Sequence, residues 1–209
     1  MLRAIVFDFD GTLIDTTNSI WGEYKRVAAL MGLEEVEFEK FTSQLGKPWV
    51  AALMGLWPDV DIDRFNKLYR GNVEKSTPIV GVKETLELLS KKYRLAILTS
   101  RGEDTLYSHL KLMGIDPGIF YVILHKGSIT RHKPDPSALF QISRKLMVGM
   151  DDMLYVGDSI VDLECAINAG VVFVAVLSGG TRRDMFLSNG AQYVIDSIAR
   201  LPVLLEGLR

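Results

Sequence analysis

The apolar residues of this chain fall into two alternating patterns. Short, almost uninterrupted apolar runs occur at AIVFDF (4–9), LAILTS (95–100), YVIL (121–124), MLYVGD (153–158) and VVFVAV (171–176). Between them lie amphipathic stretches such as VKETLELLSKKY, EDTLYSHLKLMG and PSALFQISRKLM. Near-continuous apolarity over so few residues marks parallel strands covered by helices on both faces. The alternation predicts an α/β fold: a doubly wound, Rossmann-like parallel sheet, here of five strands with 4–9 in the centre.

The first crossover breaks the rhythm. Residues 15–79 show helical patterns and no good strand. NSIWGEYKRVAALMG follows the cap candidates Thr16, Thr17 and Asn18 and stops at Gly32, while EVEFEKFTSQLG and IDRFNKLYRGNVEKS also look helical. A crossover far longer than one helix predicts an inserted module. Pro78 and Gly81, in STPIVGV, mark the return. The expected organisation is a core of residues 1–14 and 80–209 with a small helical cap at 15–79.

Composition narrows the setting. A chain of 209 residues suits one domain carrying an insert. Its net charge of −2, from 26 acidic and 24 basic side chains, gives no reason to expect a nucleic-acid or anionic-membrane partner. The one cysteine, Cys165, has no intramolecular partner and no zinc-ligand cluster around it. The N-terminal apolar run is too short for a signal peptide, and no apolar stretch reaches the roughly 18 residues of a membrane span. The expectation is a soluble, cytoplasmic protein, a monomer or weak homodimer. His109, His125 and His132 show no ligand spacing and are expected at the surface or in loops.

The candidate chemistry lies where the apolar runs end. Asp8 and Asp10 alternate about Phe9 along the strand, which places both carboxylates on one face and Phe9 on the other. Two acids that close repel unless a cation joins them; the plain alternative is an acidic turn at Asp10-Gly11. VGDSIVD supplies a second pair, Asp158 at a strand end and Asp162 one helical turn on, facing the same way. In an open α/β sheet, ligands collect at the carboxyl ends of strands. Oxygen-only donors select a hard cation, above all Mg²⁺. Helix capping by Asp158, with Asp162 in solvent, is the alternative.

Two further strand ends join these. Thr99 and Ser100 precede a helix, where hydroxyls and backbone N–H groups can cradle phosphate or simply cap. Lys133 precedes another helix, with Asp135 as its expected cap and Pro136 in its first turn; a solvated loop lysine is the alternative.

DFDGTLID, ILTS, KPDP and GDSIVD, in that order, resemble the four motifs of the haloacid dehalogenase-like hydrolase superfamily, phosphatase branch. The resemblance spans essentially the whole chain. It implies that Asp8 is the nucleophile, Asp10 the general acid and then base, and Thr99, Ser100 and Lys133 the phosphoryl-binding groups. It also implies Mg²⁺ held by Asp8, the backbone carbonyl of Asp10 and Asp158, with Asp162 in or near the ligand set. The substrate would be a small phosphorylated metabolite.

Single positions choose among branches. The superfamily's dehalogenases and phosphonate-cleaving members lack the second acid, which is present here as Asp10. Sugar-phosphate mutases keep it and remain the nearest alternative. The insert resembles the superfamily's small cap, with Gly46 and Lys47 in QLGKPWV placed where such caps present a specificity loop. Trp49 either closes over substrate or packs within the cap. The nearest likeness is to the phosphoglycolate phosphatase-like group. A phospho-aspartate receiver switch is the alternative from another class; the acid pair on the first strand and the long insert argue against it.

Overall fold

The computed structural model describes residues 1–44, 49–70 and 76–207. Its centre is a six-stranded sheet formed by β1 (Ala4–Phe7), β4 (Arg94–Leu98), β5 (Phe120–Leu124), β6 (Met153–Gly157), β7 (Val172–Val176) and β8 (Tyr193–Ile195). The order is β5-β4-β1-β6-β7-β8, and every neighbouring pair is parallel. The sheet therefore has one more strand than the apolar runs indicate. β8 is only three residues long and half-exposed, so it carries neither a continuous apolar run nor a full period of alternation.

Helices cover both faces. One face holds Ile5, Phe7, Leu95, Ile97 and Leu154 against α5 (Val82–Ser90), α6 (Glu103–Leu112) and α10 (Leu201–Gly207). The other holds Val6, Leu98, Tyr155 and Phe173 against α7 (Ser137–Leu146), α8 (Ile160–Ala169) and α9 (Arg183–Ser188). Alternate residues of each strand feed opposite cores, which is why the strands read as continuously apolar.

β1 lies between β4 and β6, where the chain switches from building one half of the sheet to building the other. The crevice at such a switch opens at the carboxyl ends of the strands. β1 stops at Phe7 and β4 at Leu98, each before the polar residues that the sequence runs include. Asp8, Thr99 and Asp158 thus follow their strands immediately. Asp8 N–H still donates to Val156 O (2.8 Å), which fixes the first acid beside β6.

Between β1 and α5 comes the long crossover. It contains α1 (Thr17–Met31), α2 (Phe38–Thr42), α3 (Trp49–Leu56) and α4 (Ile62–Leu68). It also contains strand, contrary to expectation: β2 (Ile14–Asp15) and β3 (Thr77–Pro78) pair antiparallel as a two-residue ribbon at its neck. Strands this short leave no periodic trace, and Pro78 is tolerated at such an edge. α1 ends as expected at Gly32, whose φ of 69° is the left-handed stop. Its start differs: Thr16 makes no side-chain cap bond, and Asp15 instead accepts from Thr17 N–H (3.0 Å).

The module has its own apolar centre, including Tyr24, Phe41, Leu53, Trp57 and Phe65. Tyr24 touches the rings of Phe41, Trp49, Trp57, Phe65 and Tyr69. Trp49 packs in this cluster and donates from Nε1 to Asn66 Oδ1 (2.7 Å), although its ring remains partly exposed. A buried carboxylate ties α1 to the end of α4: Glu23 accepts from Arg26 Nε (2.9 Å) and from Arg70 N–H (2.5 Å).

Candidate active site

The four motif-bearing loops converge at the crevice between β1, β4 and β6. Asp8, Asp158 and Asp162 each place one carboxylate oxygen within 4.8 Å of the others. Lys133, from the loop before α7, reaches this cluster and bonds Asp8 Oδ1 (2.8 Å) and Asp162 Oδ1 (2.6 Å). Its side chain is only 8% exposed, so the ammonium is a structural counter-charge, and the loop-lysine alternative fails.

Asp162 has no capacity left. Its Oδ1 accepts from Lys133 and from the Tyr155 hydroxyl (2.6 Å), and its Oδ2 accepts from Ser159 N–H (3.2 Å) and Oγ–H (2.5 Å). It is fully buried and not a solvated helix residue. Ser159, not Asp158, caps α8; its side chain accepts from Asp162 N–H (3.2 Å), which completes a reciprocal capping box. Relieved of capping, the Asp158 carboxylate lies against glycine. A Cβ at either Gly11 or Gly179 would overlap it, and Ser178 Oγ donates to Gly11 O (2.6 Å) to hold the two loops together. Thr12 adds a longer bond, Oγ1 to Asp158 Oδ1 (3.4 Å).

The electrostatics follow from this crowding. Burial, then repulsion from Asp8 and Asp162, pushes the Asp158 carboxyl well up. Burial also raises Asp8; Lys133 opposes that rise, while Asp162 and Asp10 add to it. Burial would lower Lys133, but Asp162 and Asp8 outweigh it and hold the ammonium charged. The Tyr155 hydroxyl is pushed well up by burial and by the same two acids, which keeps it protonated as a donor. An all-oxygen cluster under this repulsion fits a hard divalent cation, which would draw Asp8 and Asp158 back to their charged forms.

Asp10 stands apart from this cluster. Its carboxylate faces Arg101, taking Nε on Oδ2 (3.0 Å) and NH2 on Oδ1. The acid pair of the first motif is therefore split between two cations because β1 ends before Asp8, so strand alternation no longer governs the pair. Arg101 was not anticipated. Its position two residues beyond Thr99 is the available signal, since a loop that delivers Thr99 also delivers its neighbours. Nor were Tyr155, Ser159 and the Gly11–Gly179 pinch.

Thr99 is buried at the end of β4, and its Oγ1 accepts from Arg101 N–H (3.1 Å), which leaves the hydroxyl hydrogen to donate. It does not cap α6, whose cap position is Gly102. Ser100 is exposed beside it. Asp135 sits one residue before the cap position of α7, which is Pro136; it accepts instead from Ser137 N–H (2.9 Å). His109 overturns the surface expectation. It is fully buried on α6, edge-on to Phe9 at 6.1 Å, with Nδ1 2.7 Å from Thr105 O; the amphipathic period of α6 turns that position toward β1. Gly46 and Lys47 lie outside the described residues.

Comparison with known proteins agrees with this architecture. Residues 5–176 match the family model described as haloacid dehalogenase-like hydrolase. A phosphoglycolate phosphatase of Agrobacterium fabrum is 30% identical over 217 residues, covering 97% of this chain and 92% of its own length. Pyrophosphatase PpaX of Bacillus velezensis is 31% identical over 175 residues, covering 81% and 80%. A Thermotoga maritima structure, provisionally titled a β-phosphoglucomutase, superposes with a TM-score of 0.77 at 25% identity, with both chains fully covered. The chain belongs to the haloacid dehalogenase-like hydrolase family, on its phosphatase side, where the phosphoglycolate phosphatase-like group lies. No helix among the described residues is long and apolar enough to cross a membrane.

Proposed function

We propose that the chain is an Mg²⁺-dependent phosphomonoester hydrolase of small phosphorylated metabolites, working through phospho-Asp8. The observation that carries this reading is the buried lysine bridging two of three clustered acids at the switch point of the sheet.

Lys133 occupies Asp8 Oδ1, which leaves Oδ2 as the attacking oxygen. Attack on phosphorus forms the Asp8–phosphoryl bond as the bond to the leaving alkoxide breaks. Asp10 gives that alkoxide its proton, then takes one from the water that cleaves phospho-Asp8 and releases inorganic phosphate. Lys133 and Thr99, with Ser100 beside them, offset charge on the phosphoryl oxygens. Mg²⁺, held by Asp8, Asp158 and the Asp10 carbonyl, would supply further positive charge to those oxygens when bound. Asp162 supports from outside the ligand set, because all its bonds are already spent on Lys133, Tyr155 and Ser159. The helical module at 15–79 acts as the cap that excludes bulk water, with Gly46 and Lys47 as its specificity residues.

The test is phosphate release from a panel of phosphorylated metabolites, including phosphoglycolate, pyrophosphate and hexose phosphates, with Mg²⁺ and with EDTA. Metal-dependent release is the expected result. Interconversion of hexose phosphates without net release would favour the mutase reading, which the Thermotoga maritima likeness keeps in view. No turnover with an intact fold would overturn both.

A further inference from the structure

We propose that Arg101 is a specificity residue, which receives a second anionic group on the part of the substrate that is not transferred and leaves Asp10 as it does so. The substrate class is then a phosphoester or phosphoanhydride carrying another negative group close to the scissile bond. This rests on the phosphatase reading for the place of the scissile bond, and on geometry for the rest.

Both carboxylate oxygens of Asp10 accept from the Arg101 fork. A carboxyl so engaged is committed as an acceptor, whereas a proton donor to a leaving group must turn an oxygen toward it. Some other anion has to take the guanidinium when Asp10 works. Asp8 and Asp162 are already spoken for by Lys133. An incoming anion on the substrate satisfies the requirement and couples its own recognition to the release of Asp10.

The surroundings of Arg101 fit an anion receiver. Its backbone is pinned at both ends: its N–H donates to Thr99 Oγ1 (3.1 Å), and its carbonyl accepts from Lys126 N–H (2.9 Å). Its guanidinium lies over the Phe9 ring at 6.0 Å, a cation–π contact that keeps the fork in place when its anion changes. NH1 is 3.4 Å from His109 Nδ1, but that nitrogen carries a hydrogen donated to Thr105 O (2.7 Å) and cannot accept. Among the described residues NH1 is therefore the nitrogen that can meet an anion first, before Nε and NH2 give up Asp10.

Arg101 is also within electrostatic reach of the helical module. Burial pushes the Tyr69 hydroxyl up to about 12, with the Arg101 charge pulling against it and Glu23 and Asp10 adding to it, which places this residue from beyond α4 within their reach. The Arg101 side chain keeps 16% of its surface exposed, twice that of Lys133, so a ligand can reach it.

The test compares kcat/KM for phosphoglycolate and pyrophosphate with that for ethyl phosphate, which has no second anion, in the wild type, Arg101→Gln and Arg101→Lys. A charge-assisted fork is lost, so the preference for the doubly anionic substrates should fall roughly 10- to 100-fold in Arg101→Gln and be partly kept in Arg101→Lys. Equal losses on all substrates would reduce Arg101 to a partner of Asp10 and overturn the proposal, as would an unchanged preference. The same comparison by calorimetry in an Asp8→Asn background, with Mg²⁺, reads binding without turnover. Tighter binding of phosphoglycolate than of ethyl phosphate, erased by adding Arg101→Gln, would uphold Arg101 even if the wild type released no phosphate. Equal binding of the two ligands in that background would overturn it.

Discussion

The acid site and the helical module both take polar or bulky groups out of water, and they do it by opposite means. At the site each polar group has a designated neighbour: Lys133 between Asp8 and Asp162, Tyr155 and Ser159 on Asp162, and glycine leaving room on both sides of Asp158. In the module the centre is a set of rings around Tyr24 that fill volume with few polar obligations. The first arrangement depends on residue identity at fixed points. The second depends on total apolar volume, which many sequences can supply. Change one residue in each, and the two should fail differently.

The largest difference should appear with Asp8→Asn. The amide oxygen can still accept from Lys133, so the fold should persist, while loss of the nucleophile should lower kcat by roughly 10⁴-fold or more. Circular dichroism checks the first half and phosphate release the second. Near-normal turnover would remove Asp8 from the chemistry.

Next comes Lys133→Met, which leaves two buried carboxylates facing each other. Breaking a buried pair from one side costs about 3–5 kcal/mol, and this should appear as a lower urea midpoint for the whole chain. A midpoint within error of the wild type would mean that the cluster does not need its ammonium for stability.

Phe65→Ala should cost about 3–5 kcal/mol in the region it occupies, yet the loss should stay within the module. Phe65 is fully buried and touches Tyr24, Trp49, Trp57 and Tyr69, whereas the sheet has separate cores on its two faces. Hydrogen exchange should therefore speed up in α1 and α4 while β1, β4 and β6 keep their protection. Uniform acceleration would show that module and sheet unfold as one unit.

The same contrast governs what could be read in advance. The central strands were legible because each feeds two cores and is apolar throughout; their polar ends then pointed to Asp8, Thr99 and Asp158. β8, β2 and β3 were not, because two or three residues set no period. Within the site, sequence reasoning reached the residues that stand in motifs. It missed those defined only by folding: the Arg101–Asp10 pair, the Tyr155 hydroxyl under Asp162, and Gly179, which approaches Asp158 from the far side of β6. His109 shows the limit on the other side, since a polar residue on an amphipathic helix gives no sign of which way the helix will be turned.

The smallest effect is also the one that probes the acid cluster without a mutation. Asp8 has its pKa raised from 3.8 to about 7, by burial first, against the pull of Lys133. Between those values the native chain holds a proton that the unfolded chain has released, so metal-free stability should fall as pH rises from about 4 to about 7. Asp158, shifted the same way, adds to that fall. Lys133 is charged in both states throughout the window and adds no slope, and Glu23, held low chiefly by its bond from Arg26, already contributes fully above 4.5. A cation that replaces the proton should therefore stabilise more at pH 7.5 than at pH 5. Calorimetric scans with Mg²⁺ and with EDTA should show a larger gain in Tm at the higher pH, at about 2–4 °C per kcal/mol for a chain of this size. In Asp158→Asn, which takes one of the two titrating acids away, the gain should shrink. An equal gain at both pH values would place the cation away from these carboxylates, and the buried lysine would then be the cluster's main counter-charge.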